Sequence, residues 1–219
     1  MLSELKFTLI ADGSSDKTLI SIIKWLLDDL YPEMPSNGAF ADFRHLRNPP
    51  KKSEVAAQIK LASKFYPFDI LFYHRDAESK ESGILKIRTN EILNGVKKEV
   101  SSKVVSVIPI TMMETWLLID QEAIKKAAGN RNYSGTIPLP PVKSLETITN
   151  PKDQLHRTLK QVSGLKGRNL KKFNVHQAVH FVAENIEDFS PLRNTSAFKA
   201  FEDDLKKKIK ILKDETANE

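Results

Sequence analysis

An α/β fold is what this sequence predicts: a central parallel sheet of about four strands flanked by helices, with an α-helical C-terminal extension. Three observations predict it. Short apolar runs alternate with stretches of helical periodicity up to about residue 120. A Gly/Pro/Ser-rich segment, GNRNYSGTIPLPPVKS, then breaks the alternation, and beyond it only helical patterns remain. The chain accordingly divides into an α/β domain over 1–130, a connecting loop over 131–149 and a helical region over 150–219 that packs on the domain.

The elements follow in order. Lys6 to Ala11 (KFTLIA) reads as the first strand. Ser14-Ser15 offers an N-cap to a helix whose apolar positions Leu19, Ile23, Leu26 or Leu27, and Leu30 recur at three to four residues and stop before Pro32. PEMPSNG reads as a loop, Ala41 to Leu46 as a weaker strand, and Asn48-Pro49-Pro50 as a break before a helix from Ser53 with Val55, Ile59 and Ala62 on one face. Phe68 to Tyr73 is a buried strand. A helix around Ile84, Ile87, Ile92 and Val96, a strand from Val104 to Ile110 and a helical stretch from Trp116 to Ala128, closed by Gly129, complete the alternation. In the C-terminal region Asn150-Pro151 is a cap and first helical residue, with Gly164 near that helix's end. Val175 to Ile186 and Ser196 to Leu212 are further helices, and the terminal DETANE reads as frayed.

Composition narrows the function classes. The 219 residues are 40% hydrophobic, enough for a packed core. With no cysteine there is no disulfide framework, thiolate nucleophile or cysteine zinc site, which suits a reducing cytoplasm. The apolar run before Asp12 is too short for a signal peptide, and no segment approaches the roughly 18–20 apolar residues that span a membrane. Cytoplasmic localisation without membrane contact is the expectation. Net charge of +6 and a pI near 9.3 favour an anionic partner without naming one.

The strand ends carry the chemistry. Ile70-Leu71-Phe72-Tyr73 runs straight into His74, Arg75, Asp76 and Glu78. In an open parallel sheet ligands bind outside the carboxyl ends of the strands, where this sequence delivers Asp12 after the first strand, Asp76 and Glu78 after the third and Glu114 past the fourth. Four carboxylates on one rim repel unless a divalent cation with oxygen ligands relieves them, and Mg²⁺ or Mn²⁺ is the natural candidate. Taken singly, Asp12 reads more simply as a helix cap, Asp76 and Glu78 as loop acids, and Glu114 as a lysine partner; Asp12 and Asp76 together, each directly after an apolar strand, favour the ligand reading.

These residues carry a resemblance. A strand, an acid-Gly pair (Asp12-Gly13), a helix and a later strand ending in Asp76-x-Glu78 resemble the TOPRIM domain of primases, type IA and II topoisomerases and OLD-type nucleases. The wider layout, including IPITMMETWLLID and NPKDQLHRTLKQ with SPLRNTSAFKAFEDDL, is similar to a bacterial TOPRIM-like family associated with ATPases in phage-defence loci. The resemblance implies Mg²⁺- or Mn²⁺-dependent phosphodiester hydrolysis on DNA or RNA, with Asp12, Asp76, Glu78 and Glu114 as metal-binding and catalytic residues and an ATPase as partner. Asp12 stands where the family has glutamate and Glu78 where it has aspartate. Both keep a hard oxygen ligand with altered reach, so the alternative is a degenerate module that binds nucleic acid or the ATPase without cleavage. A small phosphohydrolase or nucleotidyltransferase would use the same rim.

Other signals are subordinate. Lys17 and Arg75 lie close enough in sequence to contact a phosphate, although Arg75 is equally a counter-ion for Asp76 or Glu78. Lys166, Arg168, Lys171 and Lys172 form a basic cluster beside Phe173 suited to a phosphate backbone or to a solvated loop. ADGSSDKT ends like a P-loop, but Ala11 and Asp16 replace its glycines and a carboxylate there opposes a nucleotide phosphate. His176 and His180 have zincin spacing without the glutamate base.

Overall fold

Four segments, three of them apolar, pair into one all-parallel sheet: β1 (Leu5–Ile10), β2 (Ser36–Phe40), β3 (Ile70–His74) and β4 (Val104–Val107), in the order β2-β1-β3-β4. The computed structural model describes residues 4–217. Phe7 stands opposite Ile70, and Leu71 opposite Val104. Every residue of β3 and β4 is buried, which explains their near-continuous apolar character: parallel strands covered on both faces cannot alternate. From β1 the chain moves outward to β2, then crosses back over β1 to β3. The strand order therefore reverses between the carboxyl ends of β1 and β3, the crevice where open sheets of this kind bind ligands.

Helices α1 (Leu19–Leu30), α2 (Val55–Phe65), α3 (Ile84–Asn94) and α4 (Gln121–Ala127) follow the successive strands. The C-terminal region supplies α5 (Pro151–Ser163), α6 (Gly167–Lys172), α7 (Val175–Asn185) and α8 (Ser196–Ala217). Helix α5 begins as its sequence dictates: the Asn150 side chain accepts from the Asp153 N–H, Pro151 needs no amide partner, and Gly164 closes the helix at φ +67°. The helical region shares its core with the sheet. Phe7 meets Phe72 edge-on at 5.4 Å, Phe72 meets Phe201 of α8 at 5.9 Å, and Phe201 stacks on Trp116 at 6.0 Å. Asp204 of α8 also accepts the Ser106 N–H of edge strand β4, so that amide is not open to another chain.

Several predicted boundaries move, each for a local reason. The second strand is Ser36–Phe40 rather than Ala41 to Leu46, and so takes in the end of PEMPSNG. Its SNGAF sequence lacks a strand signature because β2 is a half-buried edge strand, aligned by the Leu5 N–H donating to Pro35 O. The fourth strand ends at Val107, and the Trp116 to Ala128 stretch divides into a 3₁₀ turn (Met113–Leu117) and α4, whose cap is Asp120. Helix α6 lies where the basic cluster reads most simply as a solvated loop. Instead of fraying at DETANE, α8 continues to Ala217; Asn218 and Glu219 lie outside the described residues.

Gly38 has a specific reason to be glycine. A Cβ there would stand 2.2 Å from Cζ of Phe7, a ring only 1% exposed and fixed against Phe72. Gly38→Ala is expected to cost about 1–3 kcal/mol through overpacking. It should lower the urea midpoint without changing the slope of the transition, and an unchanged midpoint would mean that Phe7 swings aside freely.

Candidate functional site

His74, the last residue of β3, is fully buried, and its Nδ1 lies 3.0 Å from Val107 O. A carbonyl only accepts, so Nδ1 carries the proton. Nε2, on the other side of the ring, has no hydrogen-bond partner. It faces two carboxylates, with Asp76 Oδ1 at 3.5 Å and Asp16 Oδ2 at 3.8 Å.

Each carboxylate is held by a short, defined segment. Past β3 the backbone stays hooked to the chain beyond β4: the Arg75, Ala77 and Glu78 amides donate to Val107, Pro109 and Thr111 carbonyls at 3.2, 3.0 and 3.0 Å. Glu78 and Thr111 adopt φ of +52° and +61°, an uncommon conformation for non-glycine residues and a strained one for β-branched threonine. This hooked segment presents Asp76 to the Met113 N–H, which donates to Oδ1 at 2.8 Å. Asp16 sits in the 3₁₀ turn Ser14–Thr18 after β1, where the Gly13 N–H donates to its Oδ2 at 2.8 Å. Glu114 rides on the turn anchored by fully buried Trp116, is itself 5% exposed, and has Lys152 Nζ of α5 at 3.9 Å.

The electrostatics treat these groups as one cluster. Burial pushes the Asp76 carboxyl up to about 6; His74 offsets part of this, while the charges of Asp16 and Glu114 add to it. Burial also raises the Glu114 carboxyl, opposed by Lys152 and His74 and assisted by Asp16. Comparison with family models, with curated proteins and with solved structures finds no match to this chain. The functional reading therefore rests on this geometry and on the residue pattern.

Of the four acids read from the sequence, Asp76 and Glu114 meet at this cluster. Asp12 instead lines the neighbouring cleft between β1 and β2 with Phe40, Asp42, Phe43 and Gln58, and its charge bears on the Tyr73 hydroxyl. Glu78 is exposed, 3.7 Å from Arg88. Arg75 is not the counter-ion of Asp76 or Glu78: its guanidinium donates to Lys52 O and lies 3.6 Å from Glu91, over the Tyr73 ring. Lys17 is exposed beside a small cavity shared with Ser21, His180 and Glu184.

Asp16, His74 and Lys152 are the residues that sequence reasoning left out of the site. The signal for Asp16 lay in ADGSSDKT, where its carboxylate counted only against a P-loop. Helix α7 also reaches this rim. The Thr18 hydroxyl donates to Ser15 O at 2.7 Å and so accepts from His180 Nδ1 at 2.6 Å, while His176 packs edge-on against His156 at 5.3 Å. His180 is thus a structural tie between the helical region and the turn that holds Asp16.

Among the described residues, no three His, Asp or Glu side chains are already gathered as a metal cage. Their donor chemistry nonetheless fits a divalent cation: the Asp16 and Asp76 carboxylates face a buried imidazole nitrogen that has no hydrogen-bond partner, and Glu114 lies close enough to bear electrostatically on Asp76 and His74.

Proposed function

We propose that this protein is a divalent-metal-dependent phosphodiesterase acting on DNA or RNA, a TOPRIM-type nuclease in the sense of the resemblance above. The convergence of Asp16, Asp76 and Glu114 around His74, at the point where strand order reverses, carries the reading. Asp76, Asp16 and Glu114 would hold Mg²⁺ or Mn²⁺. The ion would supply Lewis-acid stabilisation of charge developing on a phosphodiester. Lys17 and Lys152 flank the cluster and offer positive charge to the flanking phosphates, while α6 presents exposed Lys166, Arg168, Lys171 and Lys172 to a longer strand.

A second reading is favoured by one observation: Asp12 and Glu78, two of the four expected ligands, do not face Asp76. On that reading the module binds nucleic acid without cutting it. Labelled DNA and RNA oligonucleotides, incubated with Mn²⁺ or with chelator, decide between them. Ion-dependent cleavage supports the nuclease, and retention without cleavage supports the binding module. Neither retention nor cleavage would sink both, and hydrolysis of mononucleotides in preference to polymers would assign the rim to a small phosphohydrolase.

The α6 cluster makes its own prediction. Replacing Lys166, Arg168, Lys171 and Lys172 with alanine is expected to weaken binding and reduce the salt slope by roughly 0.7–0.9 for each phosphate that is no longer neutralised. An unchanged slope would return these residues to a solvated helix face.

A further inference from the structure

His74 is a polar side chain at 0% exposure whose Nε2 has been left without a partner. Leaving a buried acceptor or donor unsatisfied costs about 1–3 kcal/mol, so native folds tolerate few of them. The ring is also fixed. Its Nδ1–H is tied to Val107 O at 3.0 Å, which leaves a lone pair on Nε2 in the neutral ring. One ring nitrogen bonded to a backbone carbonyl and the other free is how metal-bound histidines are oriented.

The distances discriminate between two roles for Nε2. A charge-assisted bond from an imidazolium to Asp76 would be about 2.7–2.9 Å long, whereas the separation is 3.5 Å. Donor atoms that share one ion, each about 2.0–2.2 Å from it, stand about 3–4 Å from one another, and both the 3.5 Å and the 3.8 Å separations fall in that interval. From this we infer that His74 Nε2 is a direct ligand of a cation site completed by Asp76 and Asp16, and that this nitrogen shifts the site's preference from Mg²⁺ toward Mn²⁺, Co²⁺ or Zn²⁺. Imidazole suits transition metals, whereas Mg²⁺ selects oxygen and retains its water. The inference rests on the reading that this rim holds a divalent ion, but not on whether cleavage occurs.

The test uses the full-length protein loaded with Mn²⁺. Pulsed electron paramagnetic resonance should show hyperfine coupling to a histidine nitrogen, with the coupling changing as expected when the histidines are labelled with ¹⁵N. His74→Asn places an amide N–H where Nδ1–H donates to Val107 and removes Nε2. The coupling should vanish in this variant, and calorimetric Mn²⁺ affinity should fall roughly tenfold or more, with Mg²⁺ affinity changing much less. If His74→Asn fails to fold, the chain has four other histidines to replace with glutamine, His45, His156, His176 and His180. The coupling must persist in that variant, and its loss there would overturn the assignment. Coupling that survives His74→Asn in a folded protein overturns it as well. Mn²⁺ bound with no nitrogen coupling in the wild type defeats the role of His74 and leaves the phosphodiesterase reading standing. Absence of any divalent binding defeats both.

Discussion

Asp76→Asn is expected to abolish metal-dependent cleavage while leaving the fold at least as stable. The asparagine keeps an oxygen for the Met113 N–H, now 2.8 Å from Asp76 Oδ1, but removes the charge that attracts a cation. Losing an ion that contributes several kcal/mol to the transition state lowers the rate by a factor on the order of 10³. Stability moves the other way. Raising a carboxyl from 3.8 to about 6 corresponds to about 3 kcal/mol of penalty on its ionised form at neutral pH. The side chain is 29% exposed, and solvent screening reduces the recoverable part to about 1–2 kcal/mol. In a chain of 219 residues that is a rise in melting temperature of roughly 2–8 °C for the metal-free protein. Saturating Mn²⁺ should raise the melting temperature of the wild type and not that of the variant. If Mn²⁺ leaves the wild type unmoved and Asp76→Asn melts far lower, Asp76 is a cap on the Met113 turn and the metal site fails at its centre.

Sheet class and three of the four strands were legible because β1, β3 and β4 are almost wholly buried and leave apolar runs, and the start and end of α5 because Asn150, Pro151 and Gly164 are strong local signals. Strand β2 was not, since an edge strand needs neither a full apolar face nor β-branched residues; Gly38 serves it by making room for Phe7. Which acids converge depends on turn geometry that no spacing reveals. Strand β1 continues into an extended Gly13, so that the carboxylate turned back toward β3 belongs to Asp16, four residues past Asp12. The positive φ of Glu78, hooked to Thr111, points its side chain to solvent and Arg88. His74 looked like the last residue of an apolar strand with a polar end, and only the paired Val107 carbonyl shows which nitrogen is free. The contribution of α5 and α7 through Lys152 and His180 spans sequence separations that local patterns do not encode.

Metal-free stability and metal affinity should respond to pH in opposite directions. The folded-state pKa of Asp76, about 6, lies above its ordinary 3.8, so between these values the native state binds more protons than the unfolded chain. Its favourable contribution is therefore full below about pH 3.8 and lost as pH rises through about 6. The Glu114 carboxyl, also raised, acts with the same sign. A cation needs the ionised carboxylate and must displace that proton, so Mn²⁺ affinity is expected to fall about tenfold for each pH unit below about 6, and more steeply if Glu114 also takes up a proton. Calorimetry at pH 7 and pH 5 reads the affinity directly. Other titrating groups drop out if melting temperatures of wild type and Asp76→Asn are subtracted at each pH. The variant's advantage should be near zero around pH 4 and reach its full size by about pH 7 in the absence of metal. An advantage that is constant across this range would show that Asp76 ionises in the folded protein as it does in water, and an Mn²⁺ affinity indifferent to pH would place the ion elsewhere than on Asp76.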